Sequence, residues 1–236
     1  MSGRRSNAGL SSEQVSLVWQ STSLLLDYPD EELLDRVGVL RSASRELPAA
    51  VGDSIRGFLD HLETTPLTEL QQDYVETFDS RRRCNLFLTY FAHGDTRKRG
   101  MALLRFKQTY LSAGYALDDT ELPDHLCVVL EFAATIDPDL GRGLMLDHRA
   151  GLELLRLSLR DIASPWASLV DAVTATLPPL RGDERDAVRR LAAQGPPEEE
   201  VGLAPFANPQ FSPGAAAGAA PERIPLPMPS FPGVRA

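Results

Sequence analysis

Tyr74-Val75-Glu76-Thr77-Phe78-Asp79, His93-Gly94-Asp95-Thr96-Arg97-Lys98-Arg99-Gly100-Met101 and Glu121-Leu122-Pro123-Asp124-His125-Leu126 mark the stretch from Leu70 to Phe132, and its reading decides the fold. Each segment combines dense charge, a turn signal and an apolar run within a few residues. Leu126, Val129, Leu130 and Ala133 recur at three- and four-residue spacing, which marks one face of an α-helix rather than a half-buried strand. Leu67, Leu70, Tyr74, Val75 and Phe78 line one face in the same way. Asp95 or Thr96 can cap a helix that reaches Ala113, with Gly114 as its stop, and Thr120 can cap the helix bearing Leu126. Between them, Cys84 to Phe91 is apolar enough for a buried helix or a short strand, and periodicity does not decide between the two.

Outward from this stretch the pattern stays helical. Ser11 and Gln14 have the form of a capping box before Val15, Val18, Trp19, Thr22, Leu25 and Leu26. Tyr28-Pro29 ends that helix, because the residue before proline is pushed out of the α region. Asp30 can cap a helix with Leu33, Leu34, Val37 and Leu40, and Pro48 opens another with Val51, Ile55, Phe58, Leu59 and Leu62. After Asp137-Pro138, Leu140, Leu144, Leu152, Leu155, Leu159 and Ile162 suggest one long helix, weakened by Gly141, Gly143 and Gly151. Ser164-Pro165 leads into a helix with Trp166, Leu169, Val170, Val173 and Leu177, and Asp183 to Gln194 forms a last short one. No Asn-Gly hairpin signal and no internal repeat is present. The expectation is an all-α, single-domain helical bundle over residues 11–194, with a flexible N-terminus at 1–10. Residues 195–236 are rich in Pro, Ala and Gly and read as a disordered tail, partly polyproline II.

Composition narrows the function. A chain of 236 residues suits one domain with an appendage, and its foldable part can bury about 70% of its unfolded surface. The net charge of −9 argues against a general nucleic-acid or anionic-membrane surface and favours a basic or amphipathic partner. The two cysteines, Cys84 and Cys127, are far apart, which excludes a disulfide framework and fits a reducing cytosol. The basic start is followed by no apolar region, so no signal peptide is read, and no apolar run approaches the ~20 residues of a membrane span.

Chemistry-bearing residues are present without a chemical motif. Cys84, His93, Asp95, His125 and Cys127 supply types found in nucleophilic or zinc sites, but no nucleophile elbow or paired ligand spacing joins them. No phosphate loop or dinucleotide fingerprint occurs, so no cofactor is held by motif. The Arg81–Arg83 run precedes Cys84 and could lower its pKa. Arg97, Lys98 and Arg99 lie in a predicted first turn, where each cation opposes the helix dipole at about 0.3–1 kcal/mol. Either these cations pair with Glu76, Asp79 and Asp95, or they meet an anionic partner. Glu121, Pro123 and Asp124 suit an ordinary helix N-terminus; alternatively Glu121, Asp124 and His125 rim an apolar groove that takes an amphipathic helix, with Tyr74, Phe78 and Leu126 as groove contacts.

The three quoted motifs, together with Leu25-Leu26-Asp27-Tyr28-Pro29-Asp30 and Leu130-Glu131-Phe132, resemble the NarJ (delta-subunit) family of nitrate reductase molybdenum cofactor assembly chaperones. The likeness covers roughly residues 12–180 in the same order. The family is similar to the wider TorD and DmsD group of redox-enzyme maturation chaperones. The resemblance implies an all-helical, cytoplasmic, cofactor-free protein that is not an enzyme. It implies binding to the N-terminal segment of the apo catalytic (alpha) subunit of respiratory nitrate reductase. It further implies help with molybdenum cofactor and iron–sulfur cluster insertion before membrane assembly, with molybdenum cofactor biosynthesis proteins as candidate partners. No nucleic acid and no stable membrane association are implied. Pro123, Asp124 and His125 match the Glu-Pro-x-Asp-His-like leader-binding loop of the wider group, although Leu122 separates Glu121 from Pro123. Arg97 and Arg99 are candidate client contacts. Two rivals stand beside this reading: a chaperone for another molybdoenzyme, and a nucleic-acid-binding regulator using Arg81–Arg83 and Arg97–Arg99.

Overall fold

In the computed structural model the first helix starts where the sequence places its cap. The Ser11 hydroxyl accepts from Gln14 N at 3.2 Å, and the Gln14 side chain accepts from Ser11 N at 3.1 Å. Such a cap is worth about 1 kcal/mol. The structure describes residues 9–195 except Asp119. Most of the expected N-terminal arm, and the tail beyond Gly195, lie outside them.

The helices are α1 (Ser12–Leu25), α2 (Glu31–Ser44), α3 (Ala49–Thr64), α4 (Leu67–Tyr74), α5 (Tyr90–His93), α6 (Arg97–Ser112), α7 (Leu126–Thr135), α8 (Pro138–Asp147), α9 (Arg149–Asp161), α10 (Ala167–Thr176) and α11 (Gly182–Gln194). A π-helical turn, Val75–Asp79, extends α4, and a 3₁₀ turn, Arg82–Cys84, follows it. Among the described residues there is no strand, only an isolated antiparallel bridge between Phe87 and His125. All described residues fall in one compact unit.

α1 sits at the centre, against α7 on one side and α10 on another, because its helical stripe carries the apolar bulk. Val18, Trp19, Leu25 and Leu26 are fully buried, as are Leu126, Val129 and Leu130 of α7 and Leu169, Val170 and Val173 of α10. The Trp19 indole N–H donates to Thr176 Oγ1 at 2.9 Å, which removes the cost of burying that donor.

The expected single helix over 140–162 is two helices. His148, at φ −109°, ψ 22°, separates α8 from α9. Gly141 and Gly151 serve close approach rather than a bend, while Gly143 faces open space. A Cβ at Gly151 would stand 2.7 Å from the Phe91 ring, and one at Gly141 would run into Ala133 of α7. Thr120 caps nothing: residues 120–124 form turns, and α7 begins only at Leu126, after His125. Cys84–Phe91 resolves as a 3₁₀ turn, the single bridge and the start of α5.

Candidate functional site

The bridge joins the apolar Cys84–Phe91 stretch to the Glu-Leu-Pro-Asp-His segment. Leu88 N donates to Asp124 O at 3.0 Å, and Leu126 N donates to Leu86 O at 2.9 Å. Inside this frame Asp124 is fully buried. Its Oδ2 accepts from Thr89 N at 3.2 Å and from Thr89 Oγ1 at 2.5 Å, and lies 3.6 Å from Arg99 Nη2. Arg99 donates from Nε to Thr89 Oγ1 at 3.2 Å, reaches Asp95 at 3.4 Å, and lies over the Phe87 ring at 5.2 Å. The Tyr110 hydroxyl donates to Pro123 O at 2.6 Å. The His-Gly-Asp-Thr-Arg segment and the Glu-Leu-Pro-Asp-His segment are thus clamped together by a buried carboxylate.

A second convergence involves the loop after α1. The Tyr74 hydroxyl donates to Leu26 O at 3.1 Å, and Gln71 Nε2 donates to Pro29 O at 3.0 Å. Tyr28 meets Tyr74 edge-on at 5.4 Å, and Tyr74 and Phe78 pack on Trp166 at 5.8 and 5.5 Å. The Ser23 hydroxyl donates to Cys127 O at 2.8 Å, tying α1 to the first turn of α7. Burial pushes the Tyr74 phenol and the Cys127 thiol up, and the nearby Asp27 carboxylate acts in the same direction on both. Burial pushes the His125 imidazole down, while the same Asp27, with Asp124, pulls it back. Asp27 itself is exposed.

These placements redistribute the expected site. Tyr74, Phe78, Pro123, Asp124 and Leu126 are buried, with Leu126 in the central core. The Asp124 carboxylate does not rim a surface groove, because it is fully buried, with Oδ2 on Thr89 and Arg99 beside it. Tyr74 and Phe78 form the wall behind a surface rather than the surface. Glu121 and Arg97 are exposed and His125 is half-buried against Phe87, with ring centroids 5.1 Å apart. Arg99 points inward, its side chain 17% exposed. None of Glu121, Pro123, Asp124, His125 or Leu126 lines a described hollow.

The hollow beside this wall is one the motif reading did not assemble. It has a volume of about 490 Å³ and is lined by Tyr28, Thr68, Gln71, Gln72, Val75, Glu76 and Ser80. Val75, expected on the buried face, is 42% exposed, and Tyr28 is 46% exposed. Val75 N still bonds to Gln71 O in α register, and at about 100° per residue Val75 stands well off the Leu70–Tyr74 stripe; the π turn, with Ser80 N on Val75 O, shifts the register only after it. Glu76 is the carboxylate that lines the hollow, and it pairs with Arg81 at 2.7 Å. Tyr28 was legible as part of the Leu-Asp-Tyr-Pro motif, and Val75 could have been found from its offset of about 100° from Tyr74.

The described residues hold no group of three or more His, Cys, Asp or Glu that could bind a metal ion. Burial raises the Cys84 thiol despite the pull of Arg81, so the upstream arginine run does not activate it. Of the expected local pairs, Arg81–Glu76 and Arg99–Asp95 form.

The comparisons agree with this architecture. The model of the nitrate reductase delta subunit family matches residues 44–171. The nitrate reductase-like protein NarX of Mycobacterium tuberculosis is 41% identical over 161 residues, 68% of this chain but only 24% of that relative's own length. A Bacillus subtilis relative that carries the assembly-chaperone name NarJ is 30% identical over 162 residues, covering 68% of this chain and 88% of its own. The Escherichia coli nitrate reductase molybdenum cofactor assembly chaperone NarJ is 32% identical over 156 residues, 63% of this chain and 64% of its own. A crystal structure from Archaeoglobus fulgidus, assigned to redox enzyme maturation, shares the fold with a TM-score of 0.50 at 23% identity over 70% of this chain and 93% of its own. A family match over more than half the sequence, together with a Bacillus subtilis relative at 30% identity that is covered over 88% of its own length, places this all-helical chain in the nitrate reductase delta subunit family.

Proposed function

We propose that this chain is a system-specific, cytoplasmic chaperone for respiratory nitrate reductase. In this reading it binds the N-terminal segment of the apo catalytic subunit and holds it for insertion of the molybdenum cofactor and the iron–sulfur cluster before membrane assembly. The observation that carries the reading is the match, at 30% and 32% identity over 68% and 63% of this chain, to relatives named as nitrate reductase molybdenum cofactor assembly chaperones. The acid-edged hollow at Tyr28 and Val75 supports it chemically. It offers exposed aromatic and aliphatic carbon beside the Glu76 carboxylate. An amphipathic helix with a basic flank fits that pairing: apolar side chains take the carbon surface, and basic ones meet the carboxylate. Local negative charge also speeds encounter with a basic segment.

The test is calorimetric titration of the full chain with a synthetic peptide of the client's N-terminus, against a scrambled peptide of the same composition. Tyr28→Ala and Val75→Glu should each weaken binding by roughly tenfold, the scale of a lost central contact. His125→Ala reports whether the second segment reaches the same peptide. Equal affinity for the scrambled peptide would refute the reading. A preference for the leader of a different molybdoenzyme would reassign the client within the same class.

A further inference from the structure

We propose that the outward face of α6 docks reversibly on an anionic phospholipid bilayer. α6 buries Ala102, Phe106 and Tyr110 along one side. At 100° per residue, Met101, Leu104 and Leu111 fall on the opposite side. They are 66%, 46% and 62% exposed, three of nine large exposed hydrophobic residues among those described. A helix with apolar stripes on two opposite faces has one stripe more than its own fold uses.

The charge carried by α6 itself is all of one sign. α6 carries Arg97, Lys98, Arg99, Arg105 and Lys107 and no acid, on a chain whose net charge is −9. Arg99 turns inward to Asp124 and Asp95. Arg97, Lys98 and Arg105 are exposed, flank the Met101–Leu104 end of the stripe, and have no ion-pair partner among the described residues. The overall acidity points away from anionic surfaces, but electrostatic attraction falls off within about 8 Å at physiological salt. The local field of α6 therefore decides what approaches it.

The shape favours a bilayer over a folded partner. The face is the convex outer side of one helix, and the described hollows take no lining residue from α6. It presents flexible Met and Leu side chains and no aromatic anchor. Protein interfaces concentrate their affinity in aromatic and arginine anchors seated in pockets. A bilayer interface needs no pocket: it accepts apolar side chains at the acyl boundary while basic ones snorkel to the headgroups. No described helix is long and apolar enough to cross a membrane, so this contact would be peripheral.

Flotation of the full chain with vesicles tests this. Phosphatidylcholine vesicles containing phosphatidylglycerol should carry the chain at low salt; vesicles of phosphatidylcholine alone should not, and raised salt should release it. Each cation near an anionic surface is worth about a fivefold change in partition, so the Arg97→Gln, Lys98→Gln, Arg105→Gln variant should lose about a hundredfold. Met101→Ser, Leu104→Ser, Leu111→Ser should also fall from the vesicles while keeping its charge. Far-UV circular dichroism confirms that both variants fold. Equal partition onto both vesicle types, no partition onto either, or variants that float like the parent would overturn the proposal. So would tighter binding to random duplex DNA than to the anionic vesicles at the same salt. The face lies apart from the hollow at Tyr28, so failure here leaves the leader-binding reading standing.

Discussion

Replacing Asp124 by alanine strikes the joint between the two signature segments, and the structure sets its cost. The carboxylate is fully buried and accepts from both the backbone N–H and the hydroxyl of Thr89. Its loss leaves the Thr89 N–H without that acceptor and takes the inner counter-charge from Arg99, whose side chain is only 17% exposed. Breaking a buried ion pair by removing one partner costs about 3–5 kcal/mol. Two features reduce that figure here. The Arg99–Asp124 separation of 3.6 Å is longer than a hydrogen bond, and Arg99 keeps the exposed Asp95 and the Phe87 ring. The expected loss is therefore about 2–3 kcal/mol, which for a domain of this size lowers Tm by roughly 5–10 °C. Urea unfolding followed by far-UV circular dichroism reads it as a lower midpoint at unchanged slope. If the stranded guanidinium is a large part of the cost, Arg99→Ala added to Asp124→Ala should recover some of it, so the two losses should not add. A single variant within about 0.5 kcal/mol of the parent, or strict additivity in the double variant, would refute the reasoning.

Three further outcomes follow from the same coordinates. Gly141→Ala should gain up to about 1 kcal/mol of helix propensity but lose about 1–3 kcal/mol to the collision with Ala133, so a net drop in thermal stability is expected. Burial holds the imidazoles of His125 and His148 below their ordinary value of 6.5. Their contribution is complete above that value and is lost as the pH falls from it toward the folded-state pKa, because the unfolded chain binds protons that the folded one refuses. The slope is at most about 1.4 kcal/mol per pH unit for each. Melts between neutral and mildly acidic pH should show it, and His148→Gln should flatten the curve. Cys84 and Cys127 are both buried, so a thiol reagent should label them slowly in the native chain and rapidly in denaturant; fast native labelling would contradict the packing.

Helix content was legible because most of the helices carry their own start signals. The Ser11–Gln14 box forms, the Asp30 carboxylate accepts from Leu33 N at 2.8 Å, and Asp137 caps the helix that opens with Pro138. These signals are local, so the sequence contains them entirely. The misplaced boundaries depend on contacts between distant segments. Thr120 offers a cap, but Asp124 is drawn inward by Thr89 and Arg99, and the chain cannot turn helical until that anchor is passed. The run from Leu140 to Ile162 keeps helical spacing through His148, where the backbone breaks as Gly151 seats against Phe91. Ser164-Pro165 likewise opens a turn, and α10 begins only at Ala167.

The candidate site shows the same division more sharply. The motifs pick out Tyr74, Pro123 and Asp124, and these are the residues that hold the frame: a phenol on the Leu26 carbonyl, a carbonyl under the Tyr110 hydroxyl, a carboxylate on Thr89. Each needs one particular functional group at one place, and that is why each reads as distinctive in a sequence. The groups left at the surface, Tyr28, Val75 and the Glu76 carboxylate, work by area and charge, which many residue types supply, so the motifs do not single them out as a contact surface. Substitutions in the frame should therefore lower stability, and lower leader affinity only as the fold loosens. Substitutions at Tyr28 and Val75 should lower affinity at unchanged Tm. A frame variant that kept its Tm and lost the peptide would move the contact surface inward, to the groups the motifs name.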